Sequence, residues 1–494
     1  METSITHKLS NNSQEQPFTN YYKYESVLAT RYASNEMSFI FSQQKRYSTW
    51  RFIWIALAES QKELGLDIEQ TQINELKKHV NIIDFERASM YEKKFRHDVM
   101  AHIHTFADSC PTARGIIHLG ATSCLVTDNA DLILVKNAME LIQTKLITLI
   151  ENLAKLAEKY QDLTCLSFTH FQPAQPTTLG KRISLWLQDF LLDFNDLQYR
   201  MENLQLLGIK GATGTQASFL ELFNGDDQKV ISLEKIFIEK LGFKNVFPIA
   251  SQTYTRKQDV HILNVLAGIA ISAHKMATDL RLLAHMNEVE EPFEKDQIGS
   301  SAMPYKRNPM QNERVCSLAR YIISLSESPG YTAALQWLER TLDDSANRRI
   351  CIPEAFLATD SILSLLINIS ANSLINEDII TQNLQRELPF MAIENILMFC
   401  VKKGADRQII HERLRIISLE ARKARNYNEH YNFFKKILSD PIISLTHEEL
   451  DTIINEKNFS GRASAQVKEF LDTRTKPLLR KFKDKERSIP EIKY

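Results

Sequence analysis

Residues 131–160 read DLILVKNAMELIQTKLITLIENLAKLAEKY, thirty residues without a glycine or a proline. Leu132, Val135, Met139, Ile142, Leu146, Leu149, Leu153 and Leu156 recur at three- and four-residue steps, the period of a helix with one apolar face. The pattern reaches back to about Asp128. Similar long patterns follow at about 177–207, 256–290, 309–328 and 351–374. At ~1.5 Å per residue, thirty helical residues make a rod of about 45 Å. Several such rods side by side give an all-α, elongated long-helix bundle. Their broad apolar stripes leave faces for subunit contact. Glycine and proline number 14 each, about 3% apiece against the usual ~7% and ~5%, which suits long uninterrupted helices. The one extended candidate is Leu163–Pro173, where prolines and Thr/Phe alternation break the helical period.

The chain has 494 residues, room for more than one domain of ordinary size. Composition shifts near 122 and near 375. These divide it into an N-terminal tail (1–20), an N-terminal helical domain (21–122), a central long-helix bundle (123–375), a C-terminal helical domain (376–475) and a basic, mostly solvated tail (476–494). A net charge of −1 supplies no field for nucleic acid or for an acidic membrane surface. No run of eighteen or more apolar residues is present, so no membrane span is expected. The six cysteines include no C-x-x-C pair and the polar N-terminus lacks the apolar core of a signal peptide, which together predict reduced thiols and a cytoplasmic location.

The residues able to do chemistry fall in separated blocks. In EKDQIGSSAMPYKRNPMQ (294–311) a flexible Gly299-Ser300-Ser301 run precedes a stiffer stretch holding Pro304, Lys306, Asn308 and Pro309. A hydroxyl, an ammonium and an amide held so close together suit an anion and favour loss of a proton from a serine. In SFTHFQPAQPTT (167–178), Thr169 and His170 precede a helix capped by Thr177 or Thr178; a histidine titrating near neutrality can give a proton to a leaving nitrogen. RHDVMAHIH (96–104) carries Arg96, His97 and Asp98, with His102 and His104 nearby. A metal reading is weak there, because on a helix 97 and 104 share a face and 102 does not. An Arg-His anion site fits better. Thr122 and Ser123 stand at the start of the longest helix, where exposed N–H groups and hydroxyls bind carboxylate or phosphate; simple N-capping is the competing and compatible role. In LERTLDDSANRR (338–349), Arg340, Ser345, Arg348 and Arg349 can fork onto phosphate, unless Asp343 and Asp344 neutralise the arginines. Arg31 and Tyr32 carry little weight by themselves.

The G-S-x-x-M-x-x-K-x-N spacing of Gly299, Ser300, Met303, Lys306 and Asn308 resembles the signature of the fumarase/aspartase superfamily. T-H-x-Q-P-A-Q-P-T-T-x-G resembles its second block. With RHDVMAH, GATS and LDDSANRR, the match covers nearly the whole chain outside the tails and is similar to the adenylosuccinate lyase branch in its eukaryotic form. The resemblance implies β-elimination of fumarate from adenylosuccinate and from its ring-opened relative SAICAR. It implies Ser300 as the base, after closure of its loop, and His170 as the acid. Lys306 and Asn308 would offset developing charge, and Thr122, Ser123 and Thr169 would hold the carboxylates. His97 with Arg96, and Asp98 beside them, would orient the succinyl end. Arg31, Tyr32, Arg340, Ser345 and Arg349 would hold the nucleotide and its phosphate, and Gln252 and Arg314 would touch substrate. It further implies no metal or organic cofactor, and a homotetramer whose sites are shared between subunits. The alternatives are another fumarate-releasing lyase of the fold, such as an argininosuccinate lyase, and a silent structural homologue.

Overall fold

The computed structural model describes residues 24–427, 431–454, 459–485, 489–490 and 492; the expected N-terminal tail, 1–20, and parts of the C-terminal one lie outside them. The helices that matter for the site are α1 (Gln43–Glu63), α2 (Asp98–Ser109), α3 (Ser123–Lys159), α4 (Leu179–Glu202), α5 (Lys257–His285), α6 (Met310–Leu325), α7 (Asp343–Asn372) and α8 (Glu377–Lys402). Five of these, α3 to α7, are the long patterns read from the sequence. The helix expected over 351–374 begins eight residues earlier, at Asp343, and runs through Pro353. Asp343 and Asp344 in its first turn favour that start, since carboxylates stabilise a helix N-terminus. α5 and α7 are apolar enough by composition to cross a membrane, but 83% of the most apolar stretch of α7 is packed inside the bundle.

The five rods run alternately up and down. Arg256, just before α5, bonds Asp128 in α3 and Asp344 in α7, so these three helices start together at what we call the proximal end. At the distal end, α4 starts against the last turn of α3, with Gly180 N donating to Tyr160 O at 2.8 Å. There too, Asn368 late in α7 donates to Gln311 at the start of α6 (2.9 Å). Short strands close the distal end. β1 (Thr164–Cys165) pairs with β4 (Thr177–Thr178), β2 (Phe168–Thr169) with β3 (Gln172–Pro173), and β5 (Val289–Glu290) with β6 (Leu374–Ile375), all antiparallel.

One apolar core fills the bundle and is continuous with the N-terminal helices, since Ile53, Trp54 and Leu57 of α1 belong to the same cluster as Leu132 and Leu146 of α3. In the middle of the bundle, buried Lys145 pairs with Asp360 and donates to Ser364 (2.8 Å), and Asp360 also accepts from Ser34 N at 2.7 Å. That bond ties the Arg31-Tyr32 segment to the long helices. A second, smaller core, with Ile396, Ile410, Leu414, Ile437 and Leu450, forms behind α8. Residues 463–482 leave that second core again: Val467 and Leu471 are buried in the main one, and Leu478, Leu479 and Phe482 pack on it. The expected solvated tail from Lys476 therefore begins as a helix (Lys476–Lys481) on the flank of the bundle. Apolar residues between its cations hold it down. On the outer side of α4, Leu185, Leu192 and Tyr199 stand 47%, 57% and 61% exposed at seven-residue spacing, a stripe left open among the described residues.

Gly180 sets how closely α4 abuts α3. A Cβ there would lie 2.4 Å from Ala157 O and 2.6 Å from Gln161 Cα. Gly180→Ala is expected to lower stability by about 1–3 kcal/mol, the usual cost of forcing atoms into a filled space, read as a fall in the thermal midpoint. An unchanged midpoint would mean that the junction yields freely.

Candidate active site

At the proximal end a cavity of about 740 Å³ opens between helix starts. His97 is the N-cap of α2 and Thr122 the N-cap of α3; Arg256 precedes α5 and Leu342 precedes α7. Four helix N-termini, each with a partial positive charge and spare N–H groups, thus meet at one hollow. Of the residues singled out in the sequence, Arg96, His97, Asp98, Thr122, Ser123, Gln252, Arg340, Asp344, Ser345, Arg348 and Arg349 line it. Thr122 occupies the capping position, yet its side chain makes no capping bond.

A buried charge cluster forms part of the cavity wall. Arg256 spans Asp344 (2.7 Å) and both oxygens of Asp128 (2.9 and 3.1 Å). Arg348 holds Asp259 at 2.7 Å and Asp131 at 3.2 Å and donates to Tyr254, whose hydroxyl donates to Asp259 at 2.6 Å. Burial opposes the charge on Arg348, but the surrounding aspartates outweigh it and hold the guanidinium protonated. So Asp344 is engaged by Arg256 and Arg348 by the cluster, and the two arginines are framework. Arg340 sits 3.6 Å from Asp344, and its Nη1 is buried without a hydrogen-bond partner. Arg349, half exposed, pairs with Asp98. Burial pushes the Asp98 carboxyl up, but the bond from Arg349 and the N–H of Val99 outweigh it and keep it below the usual range.

His97 lies outside the helix on which the sequence placed it. Its Nδ1 accepts from Met100 N at 3.3 Å, and its Nε2 lies 3.5 Å from Ser123 Oγ. The other histidines of that block turn elsewhere. His102 stacks on Tyr47 with ring centroids 3.7 Å apart, and His104 packs on Phe95 at 4.8 Å. A further histidine escaped the sequence reading: His118, four residues before Thr122, accepts the Trp54 indole N–H at 2.9 Å. Its neutral ring then carries its proton on Nε2. Arg46 and Trp50, one turn apart on α1, also line the cavity. No local motif marks them, nor Arg256, whose partners stand about a hundred residues away in the chain.

The remaining predicted residues lie at the distal end. His170 and Phe171 join β2 to β3 as a two-residue turn with both φ positive, 53° and 57°. Such a turn normally takes Asn-Gly; bulkier residues there store strain of about 1–3 kcal/mol each. Thr169 and His170 are exposed at this tip. Thr178, the second of the two expected caps, accepts from Lys181 N at 3.1 Å and starts α4. Between β5 and α6 the loop of residues 291–309 is clasped on itself. Asn308 donates to Gly299 O at 2.7 Å, and a Cβ on Gly299 would fall 2.1 Å from Lys306 O. The half-buried Ser300 hydroxyl accepts from Met303 N (3.1 Å) and Ala302 N (3.4 Å), while Lys306 is exposed. Arg314, early in α6, lies over the Tyr32 ring at 5.5 Å, and Arg31 is its exposed neighbour. The blocks at 97, 170 and 300 are not all mutually remote: 170 and 300 share the distal end. The proximal group is separated from them by the 37 residues of α3, about 55 Å.

Residues 40–324 match the lyase family model, and residues 389–470 match the model of the adenylosuccinate lyase C-terminus. Adenylosuccinate lyase of Saccharomyces cerevisiae is 51% identical over 455 residues, covering 91% of this chain and 94% of that one. Those of Schistosoma mansoni and Schizosaccharomyces pombe are 49% and 48% identical, each over 94% of this chain and 97% of theirs. Among solved structures, the 3-carboxy-cis,cis-muconate lactonizing enzyme of Pseudomonas putida superposes with a TM-score of 0.81 at 21% identity, covering 93% of this chain and 100% of that one. A fumarate lyase from Mesorhizobium sp. BNC1 superposes at 0.77 and 22%, covering 90% and 98%. These two establish the fold, and the sequence relatives establish more: the chain belongs to the adenylosuccinate lyase family.

Burial beside like charge lowers the pKa of both His102, near Arg51, and His118, near His97, to about 4. The unfolded chain takes up these protons near pH 6.5 and the folded chain only near 4, so stability is full above about 6.5 and falls as pH drops toward 4. A tenfold change in proton affinity corresponds to about 1.4 kcal/mol, so His102 contributes roughly 3 kcal/mol of this loss. His102→Phe keeps the stack on Tyr47 without the titration. Its thermal midpoint should fall less steeply between pH 6.5 and 4 than that of the parent protein, and equal slopes would refute the assignment.

Proposed function

We propose that this family member is an adenylosuccinate lyase in activity, releasing fumarate from adenylosuccinate to give AMP and from SAICAR to give AICAR in purine biosynthesis. The observation that carries the reading is the setting of Ser300. A serine is ordinarily far too weak a base to take a carbon-bound proton. Here its oxygen accepts two backbone N–H bonds in a clasped loop. Donors aimed at that oxygen favour its deprotonated form, and exclusion of water strengthens them.

In this mechanism Ser300 takes the Cβ proton of the succinyl group, leaving an aci-carboxylate with two negative charges on one end. Lys306 and Asn308, from the same loop, and the N–H groups and hydroxyls of Thr122 and Ser123 meet that charge where it develops. The C–N bond then breaks, fumarate forms, and His170 gives its proton to the departing nitrogen. Its place at the tip of a tight, strained turn projects the imidazole away from its own chain. Arg340, Ser345 and Arg349 receive the nucleotide phosphate, with Arg31, Tyr32 and Arg314 completing the pocket from the distal group. Arg96, His97 and Asp98 orient the succinyl end, and Gln252 contacts substrate.

Base and acid stand at one end of the molecule and the anion cavity at the other. One chain therefore cannot close a site, and we propose a homotetramer in which each site draws its acid, its base and its anion cavity from three different subunits. The exposed stripe of Leu185, Leu192 and Tyr199 on α4 supports such packing. The six free, buried cysteines fit a cytoplasmic protein.

The direct test is turnover of adenylosuccinate, followed by its ultraviolet absorbance and by fumarate release; cleavage of argininosuccinate instead would overturn the reading. Ser300→Ala and His170→Ala should each retain less than about a tenth of kcat, a loss above ~1.4 kcal/mol in the barrier. Mixed tetramers of the two variants, confirmed by mass after dissociation and reassembly, should regain part of the activity that both parents lack. Hybrids that stay inactive would refute the shared site and leave the chemistry standing.

A further inference from the structure

Arg46, in the first turn of α1, reaches the wall of the proximal cavity with its charge unpaired. Ser42 caps that turn by accepting from Lys45 N at 3.2 Å, and the next side chain, Tyr47, is stacked on His102 of α2. The backbone that carries Arg46 is thus fixed. Among the described residues the Arg46 side chain forms no hydrogen bond and no ion pair, and its Nε is buried. Besides the cavity it lines a small hollow shared with Asp131, Arg348 and Arg349. The carboxylates around it are already held. Arg348 takes Asp131 at 3.2 Å, Arg256 takes Asp128 and Asp344, and Arg349 takes Asp98. Burial pushes the Asp131 carboxyl up, and Arg348 first and Arg46 after it hold it back without reversing the shift. A half-buried guanidinium without a partner is costly, and an anion entering the cavity removes that cost.

We infer that Arg46 is a further substrate-binding residue, which forks onto the nucleotide phosphate beside Arg349. Its neighbours decide which end of the substrate it meets. Arg349, assigned above to the phosphate, lines the small hollow with it, whereas His97, Thr122 and Ser123, on the side given to the succinyl group, do not. Charge points the same way. Arg349 shares its charge with Asp98, and Arg340 stands 3.6 Å from Asp344. Neither brings a whole positive charge to a phosphate that carries about two negative ones at neutral pH. Arg46 does, and its planar fork suits two oxygens of one phosphate. The inference rests on the nucleotide reading given above, which turnover by the parent protein tests on its own.

The experiment is calorimetric titration of the full-length, assembled protein with AMP, adenosine and fumarate, for the parent, Arg46→Met and Arg46→Lys, with assembly checked by native mass. Arg46→Met is expected to weaken AMP binding about 10- to 100-fold, the range for one hydrogen bond to a charged group, and to leave adenosine and fumarate within about twofold. Arg46→Lys keeps the charge but loses the fork, and should fall between Arg46→Met and the parent for AMP. Parent affinity for AMP in an assembled Arg46→Met would overturn the proposal. So would an equal loss for AMP and adenosine, which marks a structural role, or a loss confined to fumarate, which places Arg46 at the succinyl end. Should Arg46→Met fail to assemble, Arg46→Lys decides alone: a selective loss for AMP sustains the proposal, and parent affinity overturns it.

Discussion

Two guanidinium groups, those of Arg256 and Arg348, hold the proximal end of the bundle together. Three long helices begin there side by side, and parallel helix starts bring like partial charges of roughly half a unit into one place. Left alone they would repel. Asp259 and Asp344 lie in the first turns of two of these helices and Asp128 early in the third, and the arginines bind those carboxylates to one another across the helices. Removing one member of such a buried cluster typically costs about 3–5 kcal/mol, because its partner keeps a charge it cannot hydrate. Arg340, beside Asp344, and Arg349, paired with Asp98, face the cavity together with the helix starts and the hydroxyls of Thr122 and Ser123. Framework and binding surface are thus two layers of one electrostatic arrangement.

The same rods impose the separation of the functional groups. An α-helix does not bend back on itself, so a residue at one end of α3 and a hairpin docked at its other end stay apart for the life of the fold. Nothing among the described residues compensates. The alternation of helix direction instead gathers His170, Ser300 and the Tyr32–Arg314 pair at one end and the anion cavity at the other. In the tetramer proposed above, each chain would carry two unlike halves, and association of chains would be part of the chemistry.

Much of this was legible in the sequence because its signals are local. Helical period, scarcity of glycine and proline, and the caps at Thr178 and before α3 mark the long rods. Family motifs mark Ser300, His170 and the residues around 97, 122 and 345. What escaped the reading depends on contacts remote in sequence. Arg256 and Asp128 pair across the bundle, His118 is recruited through Trp54, and Arg46 and Trp50 reach the cavity from α1. Local reasoning also misjudged His97, which caps a helix instead of riding on it, since a cap and a first-turn residue differ by one position. The segment after Lys476 looked solvated because its charges are dense, while Leu478, Leu479 and Phe482 decide its place. Arg348 and Arg349 are adjacent and alike in sequence. Both line the cavity, and only the fold buries one in the aspartate cluster and leaves the other half exposed beside Asp98.

α3 also acts as a ruler. Inserting or deleting one residue anywhere along it would rotate one end against the other by about 100° and shift it by about 1.5 Å. In the proposed tetramer the proximal cavity and the distal hairpin would then present themselves to neighbouring chains at the wrong angle and height. In that tetramer the surface loops could change length freely, whereas the number of residues in the central helices would be held fixed by partners in other chains.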